Sequence, residues 1–345
     1  MFLCLFPHAA PDEHPEEPDR YEGTKQLDGL PRPLMAVDAA QRPAPPRRGK
    51  KATGLSGRDK LAVGLMVGIP LAFVVTFIWL PTLASMGLSF TSWDGIGGLS
   101  SIKWIGTRNY QQIATIYPPF WPALRHNIYW LCVLLFIATP IGLLLAYLLD
   151  KDIRGSRAYQ SAFYLPVVLS LAVVGFMWQL IYSPDQGLIN NLLGRTSDAN
   201  TIDWFGDSRI NLWAVMVIAV WRHVGYVMIL YLAGLKSVDP ALREAAAIDG
   251  ASEFHSFRTV VFPVLKPINI VVLVITVIEA LRAFDIVYVV NKGRNGLELL
   301  SVLVTDNIIG EASRIGYGSA IAVILLLIAL VPIVTFVVTT FKDES

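Results

Sequence analysis

From about residue 60 onward, long apolar runs alternate with short polar stretches. A helix needs about 20 mostly apolar residues to cross the hydrocarbon core of a bilayer. Six segments qualify: about 61–86, 127–149, 158–182, 211–235, 268–290 and 317–341. The first, second, third and sixth are free of charge between Lys60 and Asp94, His126 and Asp150, Arg157 and Asp185, and Arg314 and Lys342. The fourth holds Arg222 and His223, and the fifth holds Glu279, Arg282 and Asp285. Lipid offers no partner to exposed backbone groups, and these runs are too long for β-barrel strands. The pattern therefore predicts an all-α, polytopic membrane protein of six transmembrane helices. Pro70, Pro140, Pro166 and Pro332 each remove a helix hydrogen bond, which predicts kinks that neighbouring helices tolerate.

Composition agrees. Hydrophobic residues make up 54% of the 345 and charged residues 16%, against about 25% charged in ordinary soluble domains. The mean hydropathy is +0.53. The net charge of +1 excludes a generally basic nucleic-acid binder. Two distant cysteines, Cys4 and Cys132, argue against a disulfide framework or a cysteine metal site.

Lys and Arg distribute unevenly between the connecting segments. Arg47, Arg48, Lys50, Lys51, Arg58 and Lys60 precede the first run; Lys151, Arg154 and Arg157 follow the second; Lys236, Arg243, Arg258 and Lys266 follow the fourth. The other side is sparser for its length, so both termini are expected in the cytoplasm. Residues 1–59 are rich in Pro, Asp, Glu and Arg and poor in aromatics, which predicts a disordered cytoplasmic tail. Residues 60–345 then form the membrane domain. Phe2 to Phe6 is too short for a signal-peptide core, and Met35 is an alternative start.

The loop between the fourth and fifth runs is the most informative. Asp239 suits an N-cap, Pro240 the first helical position, and Gly250 the left-handed residue that ends a helix. Leu242 to Ile248 is dense in helix formers, and Ser252 suits the cap of a second short helix with Glu253 in its first turn, running to Phe262. Leu242, Ala245, Ala246 and Ile248 have no core of their own to enter. Such a knob fits either a groove on a partner protein or the membrane surface, since both require an apolar stripe.

The pattern Glu244-Ala245-Ala246, Ile248-Asp249-Gly250-Ala251, Phe262-Pro263 resembles the cytoplasmic EAA loop of binding-protein-dependent ABC-importer permeases. Phe163-Tyr-Leu-Pro166, Trp178, Tyr182 to Asn190, Arg282-Ala-Phe-Asp285-Ile-Val-Tyr288, Ser89 to Trp93 and Phe120 to Asn127 resemble its carbohydrate branch, the larger permease of the maltose-importer type. The resemblance covers about 60–341. It implies a plasma-membrane permease subunit forming half of a translocation pathway for a sugar or oligosaccharide, completed by a second homologous permease. An extracytoplasmic sugar-binding protein would deliver the carbohydrate. A cytoplasmic ATPase dimer, which holds the ATP and Mg²⁺, would receive the loop residues Glu244, Ala245, Ala246, Asp249, Gly250 and Pro263. Two departures stand out. Asn291 to Gly296 replaces the Gly-Gly-Pro stretch common after the fifth span, and the 183–210 loop lacks the large insertion of some maltose permeases.

No GxxxxGK[ST] phosphate loop, HExxH or GxSxG occurs, so no catalytic constellation is expected, no metal site, and no cofactor on this chain. Charged residues within spans are costly and usually face a partner or a wet cavity. Glu279, Arg282 and Asp285 fall at i, i+3 and i+6, close to one face of a continuous helix. One reading is an ion-pair cluster, Arg282 with Glu279 or Asp285 and Arg222 across the bundle. The other is a polar lining for sugar hydroxyls, with aromatic faces from among Trp178, Trp221, Tyr226, Tyr231 and Tyr288, and Gln179 and Asn291 as further polar candidates. An ion-coupled secondary transporter using His223, Glu279, Arg282 and Asp285 as a proton relay, or an ABC permease for a non-sugar solute, are the competing functions.

Overall fold

Backbone groups in an apolar run find partners only within the run, and the computed structural model of the chain accordingly shows helices joined by short segments. It describes residues 56–151, 153–195, 200–310 and 313–342. Among these there is no β-strand, only an antiparallel bridge between Thr91 and Trp104. Two units divide the chain, Met1–Val63 and Gly64–Ser345. Of the expected tail, residues 1–55 lie outside the described residues. The helical structure begins at Gly57, three residues earlier than the sequence boundary of 60, because Asp59 accepts the backbone N–H of Ser56 at 3.1 Å and starts the first turn.

In chain order the helices that matter are α1 (Gly57–Leu88), α2 (Arg108–Thr115), α3 (Phe120–Asp150), α4 (Ser156–Val168), α5 (Leu171–Ile181), α6 (Leu188–Leu192), α7 (Asn211–Lys236), α8 (Pro240–Ile248), α9 (Glu253–Val264), α10 (Lys266–Leu281), α11 (Asp285–Asn291), α12 (Leu300–Ile308) and α13 (Ile315–Lys342). Among the described residues, α1, α3, α7 and α13 are each long and apolar enough to cross a membrane; counting bent pairs as single spans raises the number to six.

The third and fifth predicted spans are the ones that differ. The third is α4 and α5, bent by 99° at Leu169–Ser170. Both residues are extended, and the Ser170 hydroxyl caps α5 by accepting the Val173 N–H. The predicted fifth span is α10 and α11, interrupted at Arg282–Phe284. The carbonyls freed there are taken by side chains of other elements: Ser301 donates to Ala283 O at 2.8 Å, and Asn127 to Ala280 O at 3.3 Å.

Prolines act in two ways. Wide π-turns at Val75–Trp79, Leu134–Ala138 and Phe257–Val261 lie just before Pro81, Pro140 and Pro263. A proline ring clashes with the carbonyl four residues back, and one extra residue in the turn moves that carbonyl away. Pro70, Pro166 and Pro332 sit within α-helical turns instead.

The core centres on α7. In its most apolar 18-residue window 56% is buried, against 0% in α1. One end of α7 packs with Trp130, Leu134, Val174 and Val287, the other with Leu149, Leu265 and Val272. Gly225 lets α4 approach closely, since a Cβ there would meet the Phe163 carbonyl oxygen.

Candidate functional site

Two groups of residues stand out, one on the loop after α7 and one inside the bundle.

On the loop, local chemistry behaves as the sequence dictates. Asp239 accepts the Ala241 N–H at 2.9 Å and starts α8. Gly250 closes it with φ +79°, and the Ala251 N–H reaches back to Ala246 O at 3.0 Å. No neighbouring atom lies within 4 Å of a Cβ built on Gly250, so the demand for glycine comes from the left-handed backbone and not, as bulk would suggest, from crowding. Ser252 accepts the His255 N–H and starts α9. Of the residues expected to lack a core, Ala246 is buried against the body, because its small side chain fits beneath α8; Ile248 is 86% exposed and Leu242 and Ala245 are exposed. Glu244 and Asp249 are exposed, and neither carboxylate has a partner among the described residues. Pro263 lies apart from them, behind the wide turn of α9.

Beneath this outward face lies a cluster that sequence reasoning missed. Asp150, the last residue of α3, has a side chain only 6% exposed and receives Arg243 of α8 at 2.6 Å and Lys236 of α7 at 3.5 Å. Arg243 also donates to Leu235 O at 3.2 Å. The next residue, Lys151, pairs with Glu253 of α9 at 2.5 Å, and this carboxylate raises the Lys151 pKa. A 240 Å³ cavity lies between these contacts, walled by Tyr147, Ala247, Phe257 and Val261. A lone acid ending an apolar run was the signal available: at a helix C-terminus it opposes the macrodipole and calls for a cation.

Inside the bundle, a cavity of about 250 Å³ opens where the two broken helices face α3 and α7. Trp130, Leu134, Leu171 and Ala219 form its apolar wall, and Arg222, His223, Glu279, Arg282 and Asp285 its polar one. A second cavity of about 280 Å³ shares Leu171, Phe284 and Asp285 with it and adds Tyr288. The rings of Phe284 and Tyr288 stack at 5.0 Å. The five charged or titratable residues expected to act together therefore do line one space, but not as one helix face. α10 ends at Leu281 and Asp285 begins α11, so the break, and not helical spacing, places them.

The expected ion-pair cluster is only partly present. Arg222 meets Glu279 across the bundle at 3.4 Å. Arg282 and Asp285 make no ion pair or side-chain hydrogen bond among the described residues, although both line this cavity. His223 is buried with Nε2 3.0 Å from the Thr276 hydroxyl. That hydroxyl donates its proton to Val272 O at 2.7 Å, so His223 Nε2 carries the proton and donates.

Other candidates are structural. Gln179 donates to Val289 O and Val290 O and ties α5 to α11. Asn291 donates to Phe205 O and Arg294 O. Tyr231 is in the core, and Trp178 packs edge-on to Trp221 and against Tyr182. Tyr226 is half-buried and outside both cavities. In the Asn291–Gly296 turn, Lys292, Gly293, Asn295 and Gly296 all have positive φ. Among the described residues no cluster of His, Cys, Asp or Glu could hold a metal ion.

An all-helical bundle whose spans break around a polar cavity, with a capped helical loop at one end, is an arrangement suited to moving a solute across a membrane. The chain belongs to the family described as binding-protein-dependent transport system inner membrane component, which matches residues 138–343. It is a multi-pass membrane protein and a transport component. A probable ABC transporter permease protein of Pyrococcus horikoshii is 32% identical over 80% of this chain and 94% of its own length. A xylose/arabinose import permease protein of Haloferax volcanii is 33% identical over 76% of this chain and 83% of its own length. The fold matches a chain of a bacterial ABC transporter involved in import of the acidic polysaccharide alginate, with a TM-score of 0.70 at 20% identity, covering 84% of this chain and 97% of that one.

Proposed function

We propose that the chain is the permease subunit of an ATP-driven, binding-protein-dependent importer for a sugar or oligosaccharide, lying in the plasma membrane with both termini cytoplasmic. One observation carries the substrate class: the cavity at the helix breaks sets Arg282 and Asp285, without an ion-pair or side-chain partner among the described residues, beside the stacked Phe284–Tyr288 pair. Free donors and acceptors suit hydroxyls, and an aromatic face suits the apolar side of a sugar ring. The xylose/arabinose import role of the Haloferax relative supports the same class. The excess of Lys and Arg on the loop side supports the orientation.

Half a pathway needs a second permease. On the cytoplasmic side, α8 offers Glu244 to a basic residue of a partner ATPase, which would carry ATP and Mg²⁺. Closure of an ATPase dimer would draw the two docked loops together and rock the spans between inward and outward openings. The Arg222–Glu279 pair would fix α7 to α10 while Arg282 and Asp285 meet the passing solute. This chain would perform no bond chemistry.

The test is affinity purification from native membranes in mild detergent, followed by uptake into vesicles. A P-loop ATPase, a second permease and a secreted binding protein in the eluate, with uptake that follows ATP and ignores a protonophore, support the proposal. Purification of the chain alone, with uptake that collapses under a protonophore at constant ATP, overturns it.

A further inference from the structure

We infer that Asp150 is the positioning residue through which movement of the loop reaches the spans; the inference rests on the importer reading above. α8 carries two adjacent charges with different destinations. Glu244 is exposed, without a partner among the described residues, and Arg243 turns inward to the ends of two spans: the Asp150 carboxylate of α3 at 2.6 Å and the Leu235 carbonyl of α7 at 3.2 Å. Lys236 of α7 approaches the other oxygen of Asp150 at 3.5 Å. One carboxylate, 6% exposed, thus joins α3, α7 and α8. The neighbouring Lys151 joins α9 through Glu253 with the opposite polarity.

The far part of α3 meets the interior cavity. Trp130 and Leu134 line it, and Asn127 clasps α10, just before its break, to the start of α12, donating to Ala280 O and accepting the Leu300 N–H at 2.9 Å. Displacement of α8 therefore acts on a helix that carries a cavity wall and the clasp of the break. The covalent route from the loop into α10 passes a 74° bend.

A static anchor would not need this chemistry. A carboxylate at a helix C-terminus opposes the helix dipole, and a buried charge is costly unless paired. An apolar contact would hold α8 as firmly at rest. What the ion pair adds is a directional, charge-assisted bond that stays made while the packing around it shifts.

The test uses the complete transporter, reconstituted with its ATPase, second permease and binding protein, with uptake and ATP hydrolysis measured together. ATP-dependent uptake by the unaltered complex checks the importer reading on its own. In Asp150→Asn, the complex is expected in normal amount with ATP hydrolysis retained, while uptake falls about tenfold, the equivalent of losing one strong contact. Asp150→Glu, which keeps the charge, is expected to retain most of the uptake. Normal uptake in Asp150→Asn overturns the proposal. So does a parallel fall of uptake, hydrolysis and recovered complex in both variants, which would mark Asp150 as a packing residue only. Failure of the unaltered complex to couple uptake to ATP would refute the importer reading instead.

Discussion

At the loop end of α3, Asp150 meets Arg243 at 2.6 Å with the carboxylate 6% exposed; inside the bundle, Arg222 meets Glu279 at 3.4 Å with side chains 25% and 40% exposed. Around Asp150 the acceptors are matched to cations from α7 and α8. Around Glu279, two further charges, Arg282 and Asp285, line the same cavity with no ion pair or side-chain hydrogen bond among the described residues. Charge used up within the fold holds elements together; charge left over in a concave site is available to a solute. The loop repeats the contrast on a smaller scale, with Arg243 bound inward and Glu244 exposed, unpaired among the described residues.

Substitutions can break this contrast at either end. The largest effect is expected from Glu244→Lys, which should abolish uptake while the chain remains in the membrane in normal amount, checked by vesicle uptake and immunoblot. Gly250→Val should do the same through its backbone, since a left-handed conformation costs a residue with a Cβ about 1–2 kcal/mol. Next comes Asp285→Asn, expected to lower uptake about tenfold, the equivalent of a contact of ~1.4 kcal/mol. Its thermal midpoint should not move, because its carboxylate has no partner among the described residues to lose; a clear drop in midpoint would show a structural role. Glu279→Gln should lower stability by about 1–2 kcal/mol, between the exposed and buried limits for an ion pair, read by thermal unfolding in detergent. The smallest effect is expected at the exposed Lys151–Glu253 pair, where Lys151→Met should leave the thermal midpoint almost unchanged, with any difference from the unaltered chain lost at high salt.

Much of this architecture is legible in the sequence because its signals are local. Apolar run length gives α1, α3, α7 and α13 to within a few residues, except that α3 begins at Phe120, before the expected start near 127. Asp239, Gly250 and Ser252 act as caps and a turn because each bonds or bends within a few residues of itself. What failed depended on distant partners. No Gly or Pro marks the break at Arg282–Phe284; it persists because Ser301 and Asn127, far along the chain, satisfy its carbonyls. Ser170 does carry a capping signal, but the apolar run around it hid the break. Asp150 read as the edge of a span, and only the fold brings Arg243 to it.

The wide turn at Leu134–Ala138 has a consequence for anyone mapping α3 on a helical wheel. Each such turn holds one surplus residue, which shifts the phase of everything after it by about 100° relative to an uninterrupted α-helix. Asn127 and Asp150 lie on opposite sides of that offset, so their relative azimuth is set by an insertion rather than by their separation in sequence. Removing a single residue within 134–138 would rotate one half of the rod against the other, turning either the clasp or the carboxylate away from its partner while leaving every side chain at both ends intact.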